Sequence, residues 1–249
     1  MDLHGKVALV TGGATRVGRA ISLAFAAAGA DVVVNYNSSA TEALRTEADI
    51  VALGRQALPF KANVSQADQV QAMVDAAVAR FGRLDVLVNS ASIWLGTPWP
   101  DASEADWDLL NGVAAKGTFL CARAASPHLK AHGDGAMINI TDLSALVPFP
   151  GYIAHSAAKA AVLNLTYALA AEMAPAVRVN AIAPGAVLPP PDFTPAQINA
   201  AAKMNLLRRW GSAENIASAV VFLAQSEFIT GVLLPVDGGE RLVRCDWGE

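Results

Sequence analysis

The sequence contains few charged residues and few cysteines. Only 16% of its 249 residues are Asp, Glu, Lys or Arg, and the formal net charge is −4. Because there is no basic excess to neutralise phosphates, we do not expect a nucleic-acid partner. The two cysteines, Cys121 and Cys245, are too few for a disulfide framework, which favours a reducing compartment.

Long hydrophobic runs are also lacking. The apolar stretch AISLAFAAAGADVVV is interrupted by Gly29 and Asp31, and no run reaches the roughly 20 residues of a membrane span. The first residues, MDLHGKVALVTGG, enter a strand pattern without a signal-peptide pattern before it. We therefore expect a soluble, cytoplasmic protein with no membrane partner.

What the sequence has instead is a regular alternation of strand and helix patterns. One helical segment is expected to begin at Ser65 and end at Gly82. The alternation predicts an α/β fold, a doubly wound parallel sheet of about seven strands with helices on both faces. Seven apolar runs rich in Val and Ile are typical of buried parallel strands: KVALVT, DVVVNY, ALPFKAN, LDVLVN, AMINIT, VRVNAIA and VLLPVD.

No internal repeat or linker divides the chain, so residues 1–249 are expected to form a single domain. The one Pro-rich stretch, LPPPDFTP, follows a strand end. In a doubly wound sheet, ligands bind at the carboxyl ends of the strands. Residues 188–205 are therefore predicted to form a substrate loop or lid.

The glycine-rich turn TGGATRVGRAI directly follows the first strand. Gly12 permits a tight turn and Gly18 permits close packing of the helix on the sheet, while the helix start offers free N–H groups to a phosphate. The turn predicts a Rossmann-type dinucleotide site that includes Gly12, Arg16, Val17 and Gly18. A tight turn without a ligand is the alternative.

This turn, together with VNSAS, RVNAIAPGAV and VDGG downstream, resembles the short-chain dehydrogenase/reductase family over essentially the whole chain. Three positions resemble its pteridine reductase branch: Arg16 where the family pattern has glycine, Ser92 in NAS, and Asp142 at the family's serine position. The resemblance implies an NAD(P)-binding domain and a homotetramer.

NADP(H) is the expected cofactor. No acidic side chain follows the second strand to repel a 2′-phosphate, and Arg16 offers a permanent charge to a phosphate. The polar residues there also fit a second role, capping the next helix. The resemblance implies cofactor contacts from Tyr36, Asn37, Ser38, Ser39, Asn63, Val64, Asn89, Ala91, Ser92, Thr141, Lys159, Pro184 and Gly185.

The expected catalytic residues are Asp142, His155 and Lys159. In the family a tyrosine stands four residues before the lysine, but here that residue is His155, and Ala114 replaces an assisting asparagine. Residues four apart share one helix face, so His155 and Lys159 can point into one cleft. Tyr152 lies seven residues from Lys159 and cannot take the tyrosine's place. The alternative for His155 is a position that has lost its catalytic role.

A small-molecule substrate is expected to contact Ser92, Trp94, Asp142 and His155. Trp94 stands where the pteridine reductase branch has an aromatic that stacks on the pterin ring; its alternative is ordinary packing. The leading prediction is NADPH-dependent reduction of a dihydropterin or dihydrofolate. The alternatives are reduction of a carbonyl or 3-oxoacyl thioester, and cofactor binding with little or no catalysis.

Overall fold

The computed structural model describes residues 1–189 and 193–244. Cys245 and the middle of the predicted lid, residues 190–192, lie outside the described residues. The strands are β1 (Val7–Val10), β2 (Asp31–Tyr36), β3 (Ala57–Lys61), β4 (Val86–Asn89), β5 (Gly135–Ile140), β6 (Val177–Pro184) and β7 (Leu233–Val236). The helices are α1 (Arg16–Ala27), α2 (Ala40–Ala52), α3 (Ala67–Phe81), α4 (Glu104–Asn111), α5 (Gly117–Lys130), α6 (Ile153–Met173), α7 (Pro195–Ala202), α8 (Ala213–Gln225) and α9 (Glu240–Arg244).

The seven strands form one parallel sheet in the order β3-β2-β1-β4-β5-β6-β7. Alternate residues along each strand enter two separate cores, because successive side chains of a strand point to opposite faces. Val32 and Val34 pack under α1, α2 and α8, whereas Val33 packs under α3 and α5. The predicted α/β fold, its seven strands and its two helical layers are confirmed.

The predicted start of the third helix is wrong by two residues. α3 begins at Ala67 with Gln66 as its N-cap. Ser65 instead donates its hydroxyl and its N–H to the side chain of Asn63. The predicted end is confirmed, because Gly82 follows α3 with a left-handed φ of 75°.

No helix in the described part of the chain is long and apolar enough to cross a membrane. The break between β1 and α1, together with the ends of β4, β5 and β6, lies at the carboxyl edge of the sheet. This edge is where a doubly wound sheet binds its ligand.

Candidate active site

The glycine-rich turn is built for close backbone approach. A Cβ on Gly18 would lie 2.1 Å from the carbonyl oxygen of Gly12, so no larger residue fits there. Gly12 has a left-handed φ of 63°, a conformation that favours glycine. Its N–H donates to Oδ1 of Asn35 (3.1 Å), and the Asn35 amide donates to the carbonyl of Ala62 (3.0 Å). Sequence reasoning missed Asn35, although a buried amide within an apolar strand was a usable signal.

Thr11 joins the glycine-rich turn to the end of β4. Its hydroxyl oxygen accepts hydrogen bonds from the N–H groups of Ser90 (2.9 Å) and Ala91 (3.1 Å). Asn89, one residue earlier, donates its amide to Asn139 on β5 (2.9 Å). The VNSAS segment is therefore held beside the turn, as a shared cofactor site requires. Thr11 was also missed.

Arg16 is exposed and has a left-handed φ of 49°. Its guanidinium donates to the carbonyl oxygens of Leu188 (3.4 Å) and Pro189 (3.2 Å) in the segment after β6. The positively charged side chain of Arg16 therefore connects the glycine-rich turn to the first residues of the predicted lid. Val17 follows it within the first turn of α1.

The predicted adenosine-side residues lie at the ends of β2 and β3. Tyr36 ends β2, Asn37 and Ser38 are exposed, and Ser39 is the N-cap of α2 without a side-chain capping bond. After β3, the side chain of Asn63 accepts the two hydrogen bonds from Ser65, and Val64 is buried against Gly117. In the described part of the chain, no acidic side chain follows β2 before Glu42.

Asp142, His155 and Lys159 meet at the ends of β5 and α6. Nε2 of His155 lies 3.8 Å from Oδ2 of Asp142, and Oδ1 of Asp142 accepts the N–H of Ser144 (2.7 Å). Lys159 is buried, and its ammonium donates to the carbonyl of Ile140 (3.0 Å). Thr141 donates its hydroxyl to the Lys159 carbonyl (2.8 Å), which ties α6 to β5. The structure therefore brings the three predicted catalytic residues together.

The charges of this group depend on one another. Burial alone would raise the pKa of Asp142, but the nearby His155 imidazole, the hydrogen bond from the Ser144 N–H and the charge of Lys159 hold the pKa below its ordinary value. Burial lowers the pKa of Lys159, and the Asp142 carboxylate opposes that shift. Asp142 is therefore an anion placed beside an imidazole and an ammonium.

Ala114 lies within a π-helical turn, Gly112–Lys116, between α4 and α5. Its side chain packs on Ala158 and Val162 of α6. The turn therefore places a methyl group, with no hydrogen-bonding capacity, where the family resemblance expects an amide.

A group of aromatic side chains lies beside His155. The indole of Trp94 lies 4.8 Å from the imidazole and 4.4 Å from the ring of Tyr152, measured between ring centroids, and 6.5 Å from the ring of Phe149. Thr97 fixes this loop to α6: its hydroxyl accepts the N–H of Ala154 (3.1 Å), and its own N–H donates to the carbonyl of Gly151 (2.7 Å). Ser92, also predicted to contact substrate, lies on the same loop.

Pro184 ends β6, and Gly185 follows where no side chain fits. A Cβ on Gly185 would lie 2.8 Å from Cα of Asp237. The next residue, Ala186, donates its N–H to the carboxylate of Glu240 (2.9 Å). Among the described residues, no group of three or more His, Cys, Asp or Glu side chains could hold a metal ion.

Known proteins resemble this chain over almost its whole length. The family model described as Enoyl-(Acyl carrier protein) reductase matches residues 12–240. The 3-oxoacyl-[acyl-carrier-protein] reductase of Synechocystis sp. is 39% identical, covering 95% of this chain and 97% of that protein. The 3-oxoacyl-[acyl-carrier-protein] reductase FabG of Staphylococcus aureus is 37% identical, covering 94% of this chain and 97% of that protein.

Solved structures agree with these matches. A dehydrogenase/reductase from Sinorhizobium meliloti has a TM-score of 0.90 at 34% identity and covers 96% of this chain and 97% of its own. Carveol dehydrogenase from Mycobacterium avium, solved in complex with NAD, has a TM-score of 0.91 at 27% identity and covers 97% of this chain and 99% of its own. The fold and the site define an oxidoreductase with a Rossmann-type sheet. The chain belongs to the short-chain dehydrogenase/reductase family.

Proposed function

We propose that this chain is an NADPH-dependent reductase of a carbonyl group in a 3-oxoacyl thioester. The observation that carries the proposal is the cluster of Asp142, His155 and Lys159 beside the glycine-rich turn. The thioester substrate is supported by the Synechocystis and Staphylococcus relatives, which are named 3-oxoacyl-[acyl-carrier-protein] reductases. These relatives favour the reduction of a 3-oxoacyl thioester over that of a dihydropterin, which the sequence alone predicted first.

The residues present fit a dinucleotide. Gly12 and Gly18 leave the space that side chains would fill, and the start of α1 presents N–H groups there. NADPH, when bound, would supply the hydride. Arg16 and the polar residues after β2 would hold its phosphates, and Lys159 would hold its ribose, as the family resemblance implies. Residues 37–41, directly after β2, include no acidic side chain that would repel a 2′-phosphate, which supports NADP(H) over NAD(H).

His155 would donate the proton that the carbonyl oxygen takes up as it becomes a hydroxyl. The imidazole of histidine is a common general acid in enzymes. Oδ2 of Asp142 lies 3.8 Å from Nε2 of His155, so the carboxylate would help to orient the ring.

Dihydropterin reduction is the second candidate, and Trp94 favours it. A half-exposed indole 4.8 Å from His155 offers an aromatic surface to a flat heterocycle. Asp142 and Ser92, at positions that resemble the pteridine reductase branch, support the same reading.

An NADPH oxidation assay with a panel of substrates separates these functions. The panel contains 3-oxoacyl thioesters, simple ketones, dihydropterins and dihydrofolate, each assayed with NADPH and with NADH. Turnover of 3-oxoacyl thioesters with a preference for NADPH is the expected result. Turnover confined to the pterins would establish the second candidate. NADPH binding without turnover of any compound would contradict both and establish a cofactor-binding protein.

We also propose that the protein works in the cytoplasm as a homotetramer that takes a small-molecule substrate, without a nucleic-acid or membrane partner. The family resemblance supports the assembly, and the net charge of −4 supports the absence of a nucleic-acid partner.

A further inference from the structure

The catalytic imidazole is enclosed by protein. The side chain of His155 is only 4% exposed, and its Nε2 atom is buried without a hydrogen bond. A substrate oxygen must come within hydrogen-bond distance of a general acid to receive its proton. Because Nε2 is closed off in this arrangement, a neighbouring group has to move before this atom can donate a proton to a substrate.

Trp94 is the neighbour that faces both His155 and solvent. Its indole lies 4.8 Å from the imidazole at an interplanar angle of 74°. The same indole lies 4.4 Å from the ring of Tyr152, yet 47% of Trp94 is exposed. Asp142 and Lys159, the other groups around His155, are held by hydrogen bonds to the backbone, as described above. Trp94 is therefore the neighbour whose movement disturbs the site least.

The loop that carries Trp94 is held by hydrogen bonds at its ends but not in its middle. At one end, Ser90 and Ala91 donate their N–H groups to Thr11. At the other, Thr97 bonds to the backbone of Gly151 and Ala154. Between these anchors, residues 92–96 make no hydrogen bond to any part of the chain that the structure describes. A short span with few bonds and two fixed ends can shift without unfolding the site.

We propose that Trp94 is the specificity-determining gate over His155: a substrate reaches the imidazole only by displacing the indole. A displaced indole loses its packing against Tyr152 and Phe149, so the incoming molecule must cover those rings with an apolar group of its own. The gate therefore selects a carbonyl compound whose reacting group adjoins an apolar segment. The catalytic part of this statement rests on the proposed function, whereas the cover over His155 is a property of the chain alone.

Chemical labelling of histidines measures how strongly Trp94 shields His155, and it does not require enzyme activity. Diethyl pyrocarbonate acylates accessible neutral imidazoles, and peptide mass spectrometry reads each histidine separately. His132, which is exposed, serves as the reference within every sample. In the parent, His155 should react several-fold more slowly than His132. In Trp94→Ala, labelling of His155 should rise several-fold, while Trp94→Phe should keep most of the protection.

Trp99→Ala is the matched control, since Trp99 is 78% exposed and makes no ring contact with His155 among the described residues. It should leave the labelling of His155 unchanged. Circular dichroism of each variant identifies any loss of fold. If folded Trp94→Ala labels His155 no faster than the parent, or if the parent labels His155 as fast as His132, Trp94 is not a gate.

Steady-state kinetics test whether Trp94 selects substrates by their apolar segment. With 3-oxoacyl thioesters of short and long acyl chain, the parent should prefer the long chain in kcat/KM, and Trp94→Ala should lose several-fold of that preference. An unchanged preference in Trp94→Ala would overturn the selective role. If no thioester is turned over, the proposed function fails, and the labelling comparison decides the gate by itself.

Discussion

Arg16 occupies a backbone conformation that glycine normally adopts, and it places its charge between the turn and the segment after β6. The substitution Arg16→Ala should weaken NADPH binding more than NADH binding. A charge-assisted hydrogen bond contributes about 1.5–3 kcal/mol, so the loss for NADPH should be about tenfold or more.

Calorimetric titration of both cofactors against the parent and Arg16→Ala tests this expectation. Arg80→Ala is a suitable control, because Arg80 is an exposed arginine of α3 remote from the turn. Equal affinity of the parent for NADPH and NADH would contradict the role given to Arg16.

Two residues that organise the site, Asn35 and Thr11, were missed. An amide within an apolar strand singles out Asn35, but its partner and those of Thr11 lie 23 to 80 positions away in the chain, and no local pattern identifies such contacts. Asp142, His155 and Lys159 could be predicted to lie together because the family resemblance fixes their spacing and because α6 presents residues four apart on one face. That resemblance alone could not show Trp94 lying against Tyr152 and His155.

Thr97 stabilises the start of α6. The N-cap residue Tyr152 makes no side-chain capping bond, and the hydroxyl of Thr97, which lies outside the helix, accepts the N–H of Ala154 instead. Thr97→Val should therefore lower the free energy of unfolding by about 0.5–2 kcal/mol, the usual effect of losing a capping bond. Because α6 carries His155, the reductive kcat should fall as well.

Chemical denaturation and steady-state kinetics measure these two effects. Thr97→Ser keeps the hydroxyl and should behave like the parent in both. A Thr97→Val protein with parental stability would show that this hydroxyl does not support α6.

Asp85 joins the starts of β1 and β4. It accepts the N–H of Val7 (2.9 Å) and two hydrogen bonds from Arg83 (2.7 Å each). Burial alone would raise the pKa of Asp85, but these hydrogen bonds and the nearby Lys6 hold the pKa below its ordinary value. The carboxylate therefore stabilises the fold above the ordinary aspartate pKa, and this stabilisation is lost as pH falls through the lower, folded-state pKa.

Asp85→Asn should accordingly lower the free energy of unfolding at pH 7 by about 1–3 kcal/mol. The difference from the parent should shrink in acid. Denaturant titrations at several pH values measure it, with Asp75→Asn on the surface of α3 as the control. A difference that does not change between pH 7 and strong acid would contradict the assigned ionic role.

The strand runs were predictable because both faces of the sheet are covered, and such strands need continuous apolar sequence. The start of α3 was not predictable, because Ser65 forms a local turn with Asn63 instead of capping the helix. Element type thus follows from burial pattern, whereas an element boundary depends on which of two nearby hydrogen bonds forms.

The assembled protein is expected to be a homotetramer. Phe119 of α5 and Tyr167 of α6 are aromatic side chains exposed on the same helical layer. Replacing both with arginine should reduce the mass measured by light scattering, because charge in an apolar interface is unfavourable. Leu44→Arg on α2 is the control and should leave the mass unchanged. A parent protein that is monomeric at all concentrations would contradict the expected assembly.

The central claim is that His155, beside Asp142, donates the proton in an NADPH-dependent reduction. It is tested most directly by the rate of NADPH oxidation with a 3-oxoacyl thioester, measured for the parent and for His155→Phe. His155→Phe should lose about 10²–10⁴-fold in rate, the usual contribution of general acid catalysis. A His155→Phe enzyme with the parent's rate would contradict the claim.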